Sequence, residues 1–298
     1  MSSSLPEGWR RLVCDDAPAV AEVVAEDEIL HGLPGQVSGE DILGWWRRTD
    51  LEANSWAREE GGRLVALGWM ELYGDDVIGG GVVRPGEKGK GFGAALLDLA
   101  ERRAGDLDTS MLRQIAPGPD DLARTLLASR GYREVRRHYE MALRLDAEVP
   151  EPVLPDGLEV TTFREGEARA FQAAGTEAFA EEWGFHALPF DEWWAMRKDD
   201  DKTLWFVVRD GDDLAAIARC EAGHGGGYVG MLGVRQPWRR QGLGRALLLH
   251  AFGEFRRRGF ERASLGVDSE NPTGATRLYE SVGMHVESEY VTFEKKLA

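Results

Sequence analysis

Val234-Arg-Gln-Pro-Trp-Arg-Arg-Gln-Gly-Leu-Gly-Arg-Ala-Leu-Leu248 is the stretch whose reading decides the fold. The residues that lead into it, Tyr228-Val-Gly-Met-Leu-Gly-Val234, have the β-branched and aromatic content of a strand. Beyond it Leu243, Leu247, Leu248, Ala251, Phe252 and Phe255 recur at helical spacing. Arg256, Arg257 and Arg258 suit the negative end of that helix, and Gly259 stands where a C-cap glycine belongs. Arg239-x-x-Gly242-x-Gly244 therefore occupies a strand-to-helix turn. The first N–H groups of a helix are unpaired and partly positive, and glycine lets an anion reach them without a Cβ in the way. The turn reads as an anion cradle. The dinucleotide-binding fingerprint does not fit, because its three-glycine spacing and its later acidic residue are not both present.

Working outward, Arg262-Ala-Ser-Leu-Gly-Val-Asp268 reads as a second strand. Glu270-Asn271-Pro-Thr-Gly-Ala275 and Arg277-Leu-Tyr279-Glu-Ser-Val-Gly283-Met follow it. The whole set resembles the GNAT superfamily of acyl-CoA-dependent N-acyltransferases. Their pyrophosphate turn is Gln/Arg-x-x-Gly-x-Gly/Ala, followed by Asn, Ala, Leu-Tyr and Gly-Phe at about these intervals. The resemblance implies that the two strands are parallel and splayed, with the pantetheine arm of acetyl-CoA between them. It implies that main-chain groups of Leu232, Gly233 and Val234 hold the arm and polarise the thioester. Arg239, Arg240, Gln241, Gly242, Leu243, Gly244 and Arg245 would cradle the pyrophosphate, and Asn271 would bond the arm. Tyr279 is implied as the acid for the departing thiolate, a task suited to a phenol. No metal is implied. Many relatives carry a Glu on the strand before the turn; Tyr228 stands there instead. The base is left among Glu221, Glu182 and Asp268.

The first half repeats the pattern. Gly91 and Gly242 stand 151 positions apart, as do Val83 and Val234, while Trp56 and Trp205 stand 149 apart. A period this long fits a duplicated domain rather than a solenoid. Proline and acid in Asp146-Ala-Glu-Val-Pro150-Glu-Pro152 read as a linker. The expected fold is α/β, with two tandem domains at 1–145 and 158–298 joined by a linker at 146–157. Each is expected to be a mixed, mostly antiparallel sheet with a splayed parallel pair, flanked by helices. This organisation is similar to the tandem mycothiol synthases of the superfamily. Lys88 replaces Arg239 in the first copy, and Thr125-Leu-Leu127 replaces Arg277-Leu-Tyr279. Catalysis is therefore assigned to the second copy.

The acceptor end is read from residues 177–194, where Glu182, Trp183, Phe185 and Asp191 interleave acid with aromatic rings suited to an ammonium group. A net charge of −16 points the same way and argues against nucleic acid and anionic membrane as partners. No apolar run approaches the roughly 18 residues of a membrane helix. Two cysteines do not make a disulfide framework, and the first residues lack a secretory pattern, so a cytoplasmic protein is expected. The reading is an N-acetyltransferase moving acetyl from acetyl-CoA to a small cationic amine. A module that only binds or senses acyl-CoA is the rival, with no need of Tyr279. The oligomeric state is left open.

Overall fold

In the computed structural model, Ser55–Glu60 and Arg63–Tyr73 form a hairpin whose turn needs glycine, since Gly61 and Gly62 have φ of 58° and 77°. Residues 5–73, 76–107, 109–223, 225–271 and 273–297 are described. The chain divides into two compact units. One runs to Tyr139 and includes the segment from Glu287 onward, and the other is Glu140–Val286.

The first unit contains β1 (Trp9–Arg10), α1 (Ala17–Leu30), α2 (Gly39–Trp45), α3 (Leu51–Asn54), β2 (Ser55–Glu60), β3 (Arg63–Tyr73), β4 (Asp76–Val83), α4 (Phe92–Asp106), β5 (Met111–Pro117) and α5 (Asp121–Ser129). Strands β1 to β4 pair antiparallel in chain order, and β4 pairs parallel with β5. Each sheet face buries its own core. Val20, Val23, Ile42, Trp46 and Leu67 pack on the α1 side, and Trp56, Met70, Leu96, Leu112 and Phe293 on the α4 side. Such fully buried side chains each contribute about 1.5–3 kcal/mol relative to exposure.

After β6 (Arg133–Arg144), the second unit contains β7 (Leu158–Thr162), α6 (Ala168–Phe179), α7 (Phe190–Ala195), β8 (Trp205–Asp210), β9 (Asp213–Gly223), β10 (Gly226–Val234), α8 (Leu243–Arg257), β11 (Arg262–Asp268) and α9 (Ala275–Ser281). Strands β7 to β10 pair antiparallel in chain order, and β10 pairs parallel with β11. Phe171, Trp193, Trp205 and Ile217 form the core under α6, while Leu247, Leu248, Phe252 and Phe255 of α8 are buried too. Helix α8 ends as its sequence suggests: Gly259 takes φ 85° and Phe260 N donates to Phe255 O at 3.0 Å.

The mixed sheets with one parallel pair each are the α/β architecture expected. The unit boundaries differ from those expected. The final strand, β12 (His285–Lys296), was assigned with the second domain, yet its residues from Glu287 belong to the first unit. There they pair antiparallel with β5, Tyr290 opposite Pro117 through Lys296 opposite Met111. Residues 140–157, including the expected linker, fall in the second unit, where Leu145 N donates to Glu261 O at 2.8 Å. Strand alternation sets which face is buried but not which neighbour a strand takes. Among the described residues, no helix is long and apolar enough to cross a membrane.

Candidate active site

The turn before α8 uses its two glycines differently. Gly242 caps the helix with φ 85°, and no atom lies within 4 Å of where a Cβ would stand, so the space before it is open. Gly244 is buried, and a Cβ there would meet Leu278 Cδ2 at 3.1 Å and Val234 Cγ2 at 3.6 Å. The first helical bond runs from Ala246 N to Gly242 O, which leaves the N–H groups of Leu243, Gly244 and Arg245 without helical acceptors. Arg240, Gln241 and Arg245 are exposed around this opening, while the Leu243 side chain is core. Arg240 takes φ 63°, a left-handed backbone that is uncommon outside glycine. Arg239, partly exposed, reaches back onto the main chain. Its Nε donates to Val234 O at 3.2 Å, and Nη2 to Ala178 O at 3.4 Å, tying the turn to the end of α6.

The parallel pair is short. Among the described residues, β10 and β11 pair at Gly227–Ala263 and Tyr228–Ser264, whereas β10 follows β9 as far as Val234–Ala216. Leu232, Gly233 and Val234 thus lie beyond the last ladder contact with β11. A bulge between Val229 and Met231 interrupts the β9 pairing just before them. Such a bulge bends and re-aims a strand.

Four side chains from distant positions converge beside this opening. Asn271 Nδ2 donates to Glu182 Oε1 at 2.9 Å, and Asn271 Oδ1 accepts from the Thr273 N–H at 2.9 Å. Asn271 is therefore engaged in placing Glu182 rather than turned wholly to the arm. Burial pushes the Glu182 carboxyl up, and the Asp268 charge adds to this, against the lowering effect of Asn271. Tyr279 is 8% exposed, and its phenol is pushed up by burial first, then by Glu182 and Tyr228. Tyr228 is pushed up to about 12, by burial first and then by Glu140 and Glu221. A half-buried carboxylate and a phenol, both favouring the protonated form, thus share one neighbourhood.

Of the acceptor residues read from sequence, Glu182 is in this group. Phe185 packs on Phe179 with ring centroids 5.9 Å apart, and Trp183 is partly exposed. Asp191 is not brought to them: its side chain is 95% exposed and 3.8 Å from Arg169. Trp193 joins the core. Two features went unread. Arg219 is nearly buried on the same face of the sheet. In the first unit, Lys88 Nζ lies 2.7 Å from Asp27, 2.8 Å from Asp120 and 3.0 Å from His31. The ligand-type atoms of Asp27, His31 and Asp120 fall within 4.8 Å of one another, a spacing that suits a metal ion; the Lys88 ammonium supplies the cation there. The sequence signal for it was a Lys in place of Arg239 and an Asp in place of Asn271, each 151 positions earlier.

The sequence pattern of the acetyltransferase (GNAT) family matches residues 167–284. A mycothiol acetyltransferase of Thermobispora bispora is 31% identical over 75% of this chain and 77% of its own length. That of Geodermatophilus obscurus is 31% identical over 87% and 82%. A GCN5-related N-acetyltransferase from Sphaerobacter thermophilus superposes with a TM-score of 0.86 at 30% identity, over 98% of this chain and 97% of that one. A tandem GNAT protein from the clavulanic acid biosynthesis pathway shares the fold, with a TM-score of 0.74 at 18% identity and 97% of this chain covered.

Proposed function

Since this chain belongs to the GNAT family of N-acetyltransferases, we propose that its second unit transfers acetyl from acetyl-CoA to a small amine and that its first unit does not catalyse. One observation carries the assignment: Glu182, Asn271, Tyr228 and Tyr279 gather beside the opening of β10 from β11. The residues fit the co-substrate. The space before Gly242 is open, and the α8 start offers N–H groups to a pyrophosphate, with Arg240, Gln241 and Arg245 around it. The edges of Leu232, Gly233 and Val234 are free of β11 and suit the pantetheine amides. Acetyl-CoA supplies the activated acyl group as a thioester.

Among the carboxylates left open by the sequence, Glu182 is assigned as the base. It is held by Asn271, and its burial raises its proton affinity. It takes one proton from the acceptor ammonium. The freed nitrogen forms the new N–C bond as the C–S bond breaks, and the electron pair leaves on sulfur. Tyr279 gives its phenolic proton to that thiolate, and the second proton shed by the nitrogen as the amide forms restores the phenol. The acceptor is a small molecule with an amine, for which Trp183 and Phe185 supply apolar wall. A cytoplasmic location accords with the reading, and a mycothiol-type acceptor is the reading the relatives' names favour.

Thiol release from acetyl-CoA with an amine panel tests the function. Tyr279→Phe keeps the ring and removes the proton donor. Its kcat is expected to fall roughly 10²–10⁴-fold with acetyl-CoA affinity and melting temperature held. Unchanged turnover, with chemistry shown to limit the rate, would leave Tyr279 a packing residue.

A further inference from the structure

The chemistry above makes no use of Arg219. Its side chain is 13% exposed, in the middle of β9. Its polar contact is with Glu221, Nη1 to Oε2 at a long 3.5 Å, and its Nε is buried without a partner. A buried guanidinium is normally matched by short, paired carboxylate bonds. Here the matching anion is largely missing.

The strand beside it makes room for Arg219. The guanidinium lies across Gly230, in the β10 bulge: a Cβ there would stand 2.6 Å from Nη2 and 3.1 Å from Cζ. Any other residue at 230 would displace the charge. Ile217, Arg219 and Glu221 alternate onto one face of β9, and Ile217 meets the place of a Gly175 Cβ on α6 at 3.2 Å. That is the face from which the chain leaves α6 toward Glu182. Tyr228 stands directly opposite Glu221 and feels the Arg219 charge, and Tyr279 in turn feels Tyr228 and Glu182. The arginine thus lies on the acceptor side of the reacting groups, linked to them through Tyr228.

We propose that Arg219 anchors a carboxylate of the acceptor, so that the substrate is an amine that also bears a carboxylate, of the amino-acid class, rather than a plain cation. Glu182 meets the ammonium end and Arg219 the anionic end. A planar guanidinium fits a carboxylate edge through two parallel N–H bonds. The inference rests on the acetyl-transfer reading and, within it, replaces the mycothiol-type acceptor that the relatives' names favour with one that bears a carboxylate.

The test uses the full chain, acetyl-CoA, and amino acids paired with their primary amides and with the amines lacking the carboxylate. In the native protein the acids are expected to exceed their amides in kcat/KM by about 10-fold or more, the worth of a desolvated charged contact. Arg219→Met should collapse that ratio toward one, and Arg219→Lys should restore part of it. Gly230→Ala, which keeps the charge but displaces it, should also collapse the ratio, while melting curves identify any variant that fails to fold. Turnover of acids and amides at equal efficiency overturns the proposal, as does a ratio that survives in both Arg219→Met and Gly230→Ala. Turnover confined to amines without a carboxylate overturns it too, with acetyl transfer intact. Thiol release from none of the amines would instead remove the acetyl-transfer reading on which it rests.

Discussion

Arg84 in the first unit and Arg235 in the second, 151 positions apart, hold the same place in their folds. Arg84 donates from Nε to Leu64 O at 2.9 Å and pairs with Glu26. Arg235 donates from Nη1 to Leu214 O at 3.4 Å and pairs with Glu177 at 2.7 Å. The framework charges have been kept, and those at the site have not. Where the second unit has Arg239, Ala178, Glu182 and Asn271, the same offset gives Lys88, Asp27, His31 and Asp120. The polar contact of Glu182 with Asn271 at 2.9 Å becomes His31 with Asp120 at 3.2 Å. Lys88 then fills the group as an internal cation, while Leu127 occupies the position of Tyr279. The backbone also differs: β4 follows β3 from Ala66 to Met70 without a break, whereas β10 bulges against β9. On the proposed assignment, a duplicated fold exchanges a reactive centre for an internal ion-pair group while its scaffold contacts persist.

The comparison breaks most readily at Glu182. Glu182→Gln should lower kcat by roughly 10²–10⁴-fold if the carboxylate is the base. The base works deprotonated and its pKa is raised, so kcat/KM should climb as pH rises through that pKa, and the Gln variant should lose this limb. Acceptors of different amine basicity separate the two titrations, because a limb due to Glu182 stays in place. The sign for stability runs the other way. A carboxyl raised in the fold stabilises it below the usual carboxylate range and ceases to as pH rises, so the Gln variant should melt no lower at neutral pH. A preserved limb in Glu182→Gln would move the base to Glu221 or Asp268.

Lys88→Met tests the other side of the comparison. Removing the ammonium leaves Asp27 and Asp120, each with 8% of its side chain exposed, without their main cation. Breaking such a buried pair costs about 3–5 kcal/mol, which calorimetry of the full chain should register. No loss of stability would mean that the group is not a structural plug. Gly244→Asp should weaken acetyl-CoA binding by about 10²-fold, since a side chain forced against Leu278 and Val234 displaces the first helical turn and its N–H groups and loses charged contacts. Gly93→Asp, its counterpart, should leave turnover nearly unchanged; titration calorimetry giving the reverse ranking would exchange the roles of the two units. The smallest effect is expected at Asp191. Its exposed side chain lies 3.8 Å from Arg169, so Asp191→Asn should change KM by less than about two-fold. A larger rise would bring residues 190–194 back to the acceptor.

The turn at Arg239–Arg245 and the repeat were legible because glycine spacing and helical periodicity are local properties. The drift in that repeat had a physical cause that residue types concealed. Strand registers place Ser55 opposite Trp69 and Trp205 opposite Arg219, so Trp205 replaces Ser55 rather than Trp56. The offset is 150 there and 151 from Val234 to Asn271, and the bulged strand accommodates the extra residue. The bond between Glu182 and Asn271 spans 89 positions, and nothing local announces it. Asp191 was misplaced because an amphipathic helix with aromatics and acids looks alike whether its acids face a ligand or water.

The place of β12 bears on how this chain is made. Synthesis proceeds from the N-terminus, so β5 emerges from the ribosome long before the segment that pairs with it, Tyr290–Lys296. Until that segment has been made, the first unit presents an unpaired strand edge, a template for pairing with other chains. A fragment ending at residue 145 would carry that edge permanently. Joining residues so far apart also raises contact order, which slows the closing step of folding. The N-terminal unit begins first and can finish only once Tyr290–Lys296 has been made.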